Sequence, residues 1–182
     1  MQSDLQKSIK NLQIKQIKHD LNAHRDLYHA LLPKKITHYT LHFAKYQGQL
    51  LEALKSDSKD DFRKVVVDSA IIIIASSNAM NIDLEEVLPN KRPPGQFEDI
   101  KDAIQGYIIA VSKMAKACEV LDHLEPYPSR EILEDKICDL FFCVDFMASC
   151  SEVDLVQDIE GRWRLIEENN FAYNHIFKKE IK

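Results

Sequence analysis

An all-α helical bundle is the fold class that this sequence predicts, and three observations predict it. Apolar residues recur at helical spacing over stretches of about 20 residues. Breakers are scarce, with 4 Gly and 6 Pro in 182 residues. One helical unit is written twice. Gly48-Gln49-Leu50-Leu51-Glu52-Ala53-Leu54, Val65-Val66-Val67-Asp68, Asp83-Leu84 and Lys91 answer to Cys118-Glu119-Val120-Leu121-Asp122-His123-Leu124, Lys136-Ile137-Cys138-Asp139, Asp154-Leu155 and Arg162, at offsets of 70, 71, 71 and 71 residues. A constant offset over several landmarks marks an internal duplication.

The elements follow in order. Leu5, Ile9, Leu12, Ile17, Leu21, Leu27 or Tyr28 and Leu31 predict one amphipathic helix over 4–31, stopped near Pro33. A second helix is expected from Ile36 to Lys55. A third runs from Asp60 to Met80, capped by Ser58 or Asp60. Its Val65-Val66-Val67 and Ile71 to Ile74 runs would also suit a buried strand. Its length without a turn signal, and its less β-branched repeat partner Lys136 to Met147, favour a helix. Asp83 caps a short helix ending at Pro89. Residues 89–97 hold the only Pro/Gly-rich stretch and mark a linker. The second unit repeats the pattern, with helices expected at 98–124, at 130–149 capped by Ser129, and at 153–178. The expected organisation is an N-terminal amphipathic helix (1–33), a first unit (34–92) and a second unit (93–182), their apolar stripes packed into one core.

Bulk properties narrow the function. Hydrophobic content of 45% and charged content of 29% are globular values. A net charge of -5 gives no reason to expect nucleic acid binding. Residues 1–35 carry 7 Lys/Arg against 3 Asp/Glu, a solvated basic leader on an acidic body. Cys118, Cys138, Cys143 and Cys150 form no CxxC motif and lie in apolar helical patterns, so buried, reduced thiols are expected. The start is polar, and the longest apolar run, Ala70 to Ala75, is too short to span a bilayer. A cytoplasmic protein without membrane contact is the expectation.

In order along the chain stand Pro33-Lys34-Lys35, Tyr46-Gln47-Gly48-Gln49-Leu50-Leu51-Glu52-Ala53-Leu54, Asp68, Ile82-Asp83-Leu84-Glu85-Glu86 and Lys91. This order resembles the MazG-like family of all-α nucleotide pyrophosphohydrolases, and a fainter second copy extends the resemblance over about residues 30–175. It implies a single-chain pseudo-dimer of two such units. In the family, Glu-x-x-Glu on one helix and Glu-x-x-Asp on the next hold Mg²⁺. Carboxylates at i and i+3 share a helix face, and a hard cation between two such helices takes oxygen ligands, neutralises phosphoryl charge and activates water.

The resemblance implies positions at which this chain departs from that chemistry. In the first unit they are Tyr46, Gln49, Val65 and Asp68, a relic with one carboxylate. In the second they are Lys116, Glu119, Lys136 and Asp139, with two ammonium groups where the family has acids. Lys116 and Lys136 are expected to occupy the cation's place and to pair with Glu119 and Asp139 across the helix pair. The family's Lys stands as Lys91 and Arg162, so Lys91, Lys116, Lys136 and Arg162 are candidate phosphate contacts. A rotated acidic set, Glu119, Asp122, Asp135 and Asp139, is the alternative Mg²⁺ site.

Other constellations read as packing or surface. His38 and His42 at i, i+4 lack a third ligand nearby. His19, His24 and His29, five apart, do not share a helix face. Asp145, within an apolar run, either lines a cavity or has a partner.

The expected function is that of a degenerate MazG-like protein, without a cofactor, that binds a nucleotide or phosphate ligand or a protein partner. One alternative is an active Mg²⁺-dependent nucleoside triphosphate pyrophosphohydrolase. Another is an interaction module, with residues 4–31 docking a partner or a second copy.

Overall fold

The computed structural model describes the backbone of residues 4–123 and 126–170, and the side chains of 8–120 and 126–170. Within these residues every regular element is helical. Helices α3 (Leu32–Ser56) and α4 (Lys59–Met80) form one antiparallel hairpin, and α6 (Ile100–His123) and α7 (Ser129–Cys150) form another. The hairpins pack α3 on α6 and α4 on α7, which makes a four-helix bundle. Helix α1 (Asp4–Ala23) lies against α4 and α8 (Leu155–Asn169), and α8 also packs on α4. Two short helices, α2 (Arg25–Tyr28) and α5 (Leu84–Val87), serve as connectors.

Burial explains the central helix. α4 buries Val65, Val66, Val67, Ala70, Ile71, Ile73, Ile74 and Met80. Its β-branched runs are poor helix formers, but neighbours on several sides reward burial more than propensity costs. α3 buries a single stripe, Ile36, Tyr39, Thr40, Phe43, Tyr46, Leu50 and Ala53. One continuous core joins Ile9 and Leu12 of α1 with Phe43, Ile73, Tyr107, Met114, Phe141 and Trp163.

The duplicated landmarks carry matching local geometry. Asn81 at the end of α4 and Glu152 just after α7 both have left-handed backbone, with φ of 57° and 54°. The Ile82 N–H donates to the Ser77 carbonyl at 2.9 Å, and the Val153 N–H donates to the Ala148 carbonyl at 3.0 Å. These are the six-to-one bonds that close a helix C-terminus. Asp83 then caps α5 and Asp154 caps α8, each accepting from a backbone N–H, and Leu84 and Leu155 are both buried.

The structure bears out some of the expected details and corrects others. The first helix ends at Ala23, not near Leu31, because His24 leaves helical backbone (φ -134°, ψ 46°). α3 begins at Leu32 with Pro33 in its first turn, where proline's missing N–H costs nothing. Ser58 caps α4, its hydroxyl accepting from the Asp61 N–H. Ser129 does not cap α7: Pro128 holds the cap position, and Ser129 is the first helical residue. Cys138 and Cys143 are buried, with thiols pushed up to about 11 and about 12 by burial, whereas Cys150 is exposed at the end of α7. Asp145 is half-buried and makes a contact. The extension of the last helix past Asn170 and the side chain of Asp122 lie outside the described residues. No single described helix is long and apolar enough to cross a membrane.

Candidate functional site

Tyr46, Gln49, Val65 and Asp68, the first-unit positions that the family resemblance implies, meet in one cleft. It has a volume of about 420 Å³ and opens between α3, α4 and α8. Tyr46, Gln49 and Glu52 of α3 line one wall, and Asp61, Lys64, Val65 and Asp68 of α4 line the other. Helical spacing accounts for this: 46, 49 and 52 on α3 step by three, and on α4 both 64 and 65 lie three or four residues from 61 and 68, so each set faces the partner helix. Arg162 enters from α8. Its Nε donates to Asp68 Oδ1 at 2.7 Å and its Nη2 to Asp68 Oδ2 at 3.3 Å. The Asp68 side chain is 15% exposed and that of Arg162 33%. The Asp68 carboxylate is therefore held in a guanidinium fork.

The rest of the cleft is mixed in sign. The Lys45 ammonium lies 4.4 Å from the centre of the Tyr46 ring. Burial, and then the Asp68 charge, hold the Tyr46 hydroxyl far above its usual range, so it stays protonated. It shares a 3.3 Å hydrogen bond with His42 Nδ1. Asp61 accepts from the Ser58 hydroxyl at 2.7 Å. One turn earlier on α8, Arg63 Nε and Nη2 donate to the two Asp158 oxygens at 2.8 and 2.6 Å, which fastens this helix to α4 a second time.

The second unit's candidates are occupied differently. Lys91 donates to Asp135 Oδ1 at 2.7 Å. Lys136 lies 3.0 Å from Asp135 Oδ2 and donates to Asp139 Oδ2 at 2.5 Å. The hydrogen bond from Lys91 holds the Asp135 carboxyl below its usual range, and the same bond holds the Lys91 ammonium charged. Burial works to discharge Lys136, but its bonds to Asp139 and Asp135 outweigh it. At Asp139 burial dominates and pushes the carboxyl up against the pull of Lys136.

The expected lysine pairing is thus corrected. Lys136 and Asp139, and Lys116 and Glu119 at 3.2 Å, are i, i+3 pairs within one helix, not contacts across two. Of the rotated acidic set, Glu119 is exposed on α6 and, among the described residues, does not join Asp135 and Asp139 in a group of three with close ligand atoms, while the Asp122 side chain lies outside the described residues. Lys91 and Arg162 each reach into the opposite unit and end on a carboxylate, Asp135 and Asp68 respectively.

Among the described residues, His19, Asp20 and His24 form the group whose ligand atoms lie within 4.8 Å of one another. Sequence reasoning set these histidines on different faces because it continued the helix through residue 24. The break at His24 instead brings its ring to 5.5 Å from that of His19, centre to centre. His19 is buried, and its Nδ1 lies 3.0 Å from Glu167 Oε1 of α8. Asp20 Oδ1 accepts from Gln16 Nε2 at 2.7 Å, and Gln16 Oε1 accepts from the Trp163 indole at 2.9 Å. Burial pushes the Asp20 carboxyl up to about 6, and partial desolvation of the otherwise exposed His24 ring lowers that group. The rings of His38 and His42 stand 4.6 Å apart, and burial takes His42 down to about 4.

The chain matches no protein family, no curated protein and no solved structure.

Proposed function

We propose that this protein is a non-hydrolysing relative of the MazG-like nucleotide pyrophosphohydrolases that holds a phosphorylated ligand of the nucleoside triphosphate class in the cleft between α3, α4 and α8. One observation carries the reading: the Arg162 guanidinium is seated on Asp68, where the family chemistry calls for a metal ion. The duplicated landmarks and their matching caps support the descent. Gln49, Lys64 and Lys45 then supply donors for phosphate oxygens at the cleft wall. Hydrolysis needs a cation ringed by oxygen ligands to activate water. Tyr46, Gln49 and Val65 offer no carboxylate at the aligned places, and an anchored guanidinium repels a divalent ion.

The same reasoning bears on Asp135 and Asp139. Their oxygens already carry Lys91 and Lys136, which works against their use as Mg²⁺ ligands. Calorimetric titration with nucleoside triphosphates, with and without MgCl₂, is the test, read beside a pyrophosphate-release assay. The expected result is saturable binding, about tenfold weaker in Lys64→Met, without pyrophosphate release. Release that disappears in Asp68→Asn would establish the hydrolase instead, and absence of any binding would favour an interaction module.

A further inference from the structure

We propose that His19, Asp20 and His24 form a binding site for a divalent transition metal of the zinc type. A ring nitrogen of His19, a carboxylate oxygen of Asp20 and a ring nitrogen of His24 lie within 4.8 Å of one another. Two imidazoles and one carboxylate are a zinc-type donor set; Mg²⁺ and Ca²⁺ prefer oxygen alone. A tetrahedral ion with bonds of about 2.0–2.1 Å draws its ligands to about 3.4 Å from one another. His24 is exposed, just past the end of α1, and can make the small closing movement.

A second observation points to a ligand independently of the cluster. His19 is 3% exposed, yet its Nε2 has no hydrogen-bond partner. A buried imidazole nitrogen left without a partner costs free energy. With Nδ1 engaged by Glu167, Nε2 is the nitrogen left to ligate. A carboxylate that receives the Nδ1 proton and turns Nε2 toward an ion is the usual support of a metal-bound histidine. Asp20 is oriented in the same manner. The Trp163 indole fixes Gln16, and Gln16 donates to Asp20 Oδ1, which leaves Oδ2 for the ion.

The other groups facing the site are Lys35, Tyr39 and His38 of α3, and Asp26 of α2. Lys35 opposes a cation and Asp26 favours one, so neither sign dominates. Three protein ligands leave a fourth position, which on the exposed His24 side is open to water or a small anion.

Full-length protein titrated with ZnCl₂ against a chromophoric chelator tests the site, with CoCl₂ as a spectroscopic stand-in. One equivalent of metal is expected, with cobalt bands of low-symmetry, nitrogen-and-oxygen ligation. His24→Ala should weaken binding at least tenfold. His42→Ala, which removes half of the neighbouring His38/His42 pair, should leave it unchanged. Glu167→Gln should weaken it about 10- to 100-fold at unchanged stoichiometry, and it provides a second readout should one variant fold poorly. Wild-type protein that binds no metal at micromolar zinc, or His24→Ala protein that binds as tightly as wild type, would overturn the proposal.

Discussion

Arg162 and Asp68, 94 residues apart, are joined by a two-toothed ion pair across α8 and α4, with Nε 2.7 Å from Oδ1. Both groups are mostly withdrawn from water, so removing one strands the other. Arg162→Met and Asp68→Leu are each expected to cost about 1–3 kcal/mol. The double variant should recover much of the loss. Urea unfolding of the three variants measures the coupling, and strictly additive losses would show that the contact contributes nothing.

A contrast between two lysines checks the account of the second unit. Lys136 and Asp139 have side chains 23% and 12% exposed, whereas those of Lys116 and Glu119 are 43% and 55% exposed. The coupling energy of the first pair is expected at about 1–2 kcal/mol, and that of the second below about 0.5 kcal/mol. Added salt should weaken only the second appreciably. Equal couplings would remove the claim that burial distinguishes the pairs.

His42 makes stability depend on pH. Its ring gains a proton only near pH 4 in the folded chain, because burial disfavours the charge, against about 6.5 when unfolded. Below pH 6.5 the unfolded chain therefore binds the proton first. The contribution is whole above about pH 6.5 and is lost as pH falls toward 4. For this half-buried ring, discounted for solvent screening, the loss is on the order of 1–2 kcal/mol. His42→Gln, which keeps an acceptor for Tyr46, should match wild type at pH 7 and lose less stability between pH 6.5 and 4.5. Parallel pH curves would refute this.

Two glycines should answer oppositely to the same substitution. A Cβ on Gly48 meets nothing within 4 Å on the exposed face of α3, so Gly48→Ala should stabilise by about 0.5–1 kcal/mol through helix propensity. A Cβ on Gly106 lies 3.1 Å from Cys143 Sγ and 3.2 Å from Phe97 Cε1. Cys143 is fully buried, so Gly106→Ala should give a net loss of about 0.5–2 kcal/mol despite its better propensity. Thermal melts of the two variants decide the signs.

Helical class, the hairpin order and the Ser58 and Asp83 caps are legible in the sequence because each rests on local chemistry: apolar period, a hydroxyl or carboxylate beside free N–H groups, few breakers. The positions Tyr46, Gln49 and Asp68 are picked out in the sequence only by the family resemblance, and helical spacing then explains why they share one cleft. What escapes is long-range. Nothing near Arg162 indicates that it ends on Asp68, since that contact depends on where α8 docks. The His19 and His24 convergence escapes because it needs a helix to stop at Ala23, and no proline or glycine stands there. Ser129 misleads because Pro128, with its φ already near helical values, takes the position before it.

The Trp163–Gln16 hydrogen bond spans 147 residues of chain. During synthesis α1 emerges long before α8. Until then Gln16 and His19 have neither their indole nor their carboxylate, and the inner side of α1 is poorly satisfied. Closing so long a loop carries an entropic cost, so the clasp is expected to shut after the hairpins of the bundle form. Trp163 is the chain's single tryptophan and stacks on His19 at 5.9 Å. Its fluorescence is thus a natural clock for the moment when the clasp between α1 and α8 shuts, a signal separate from the burial of Phe43 and Tyr107 in the bundle.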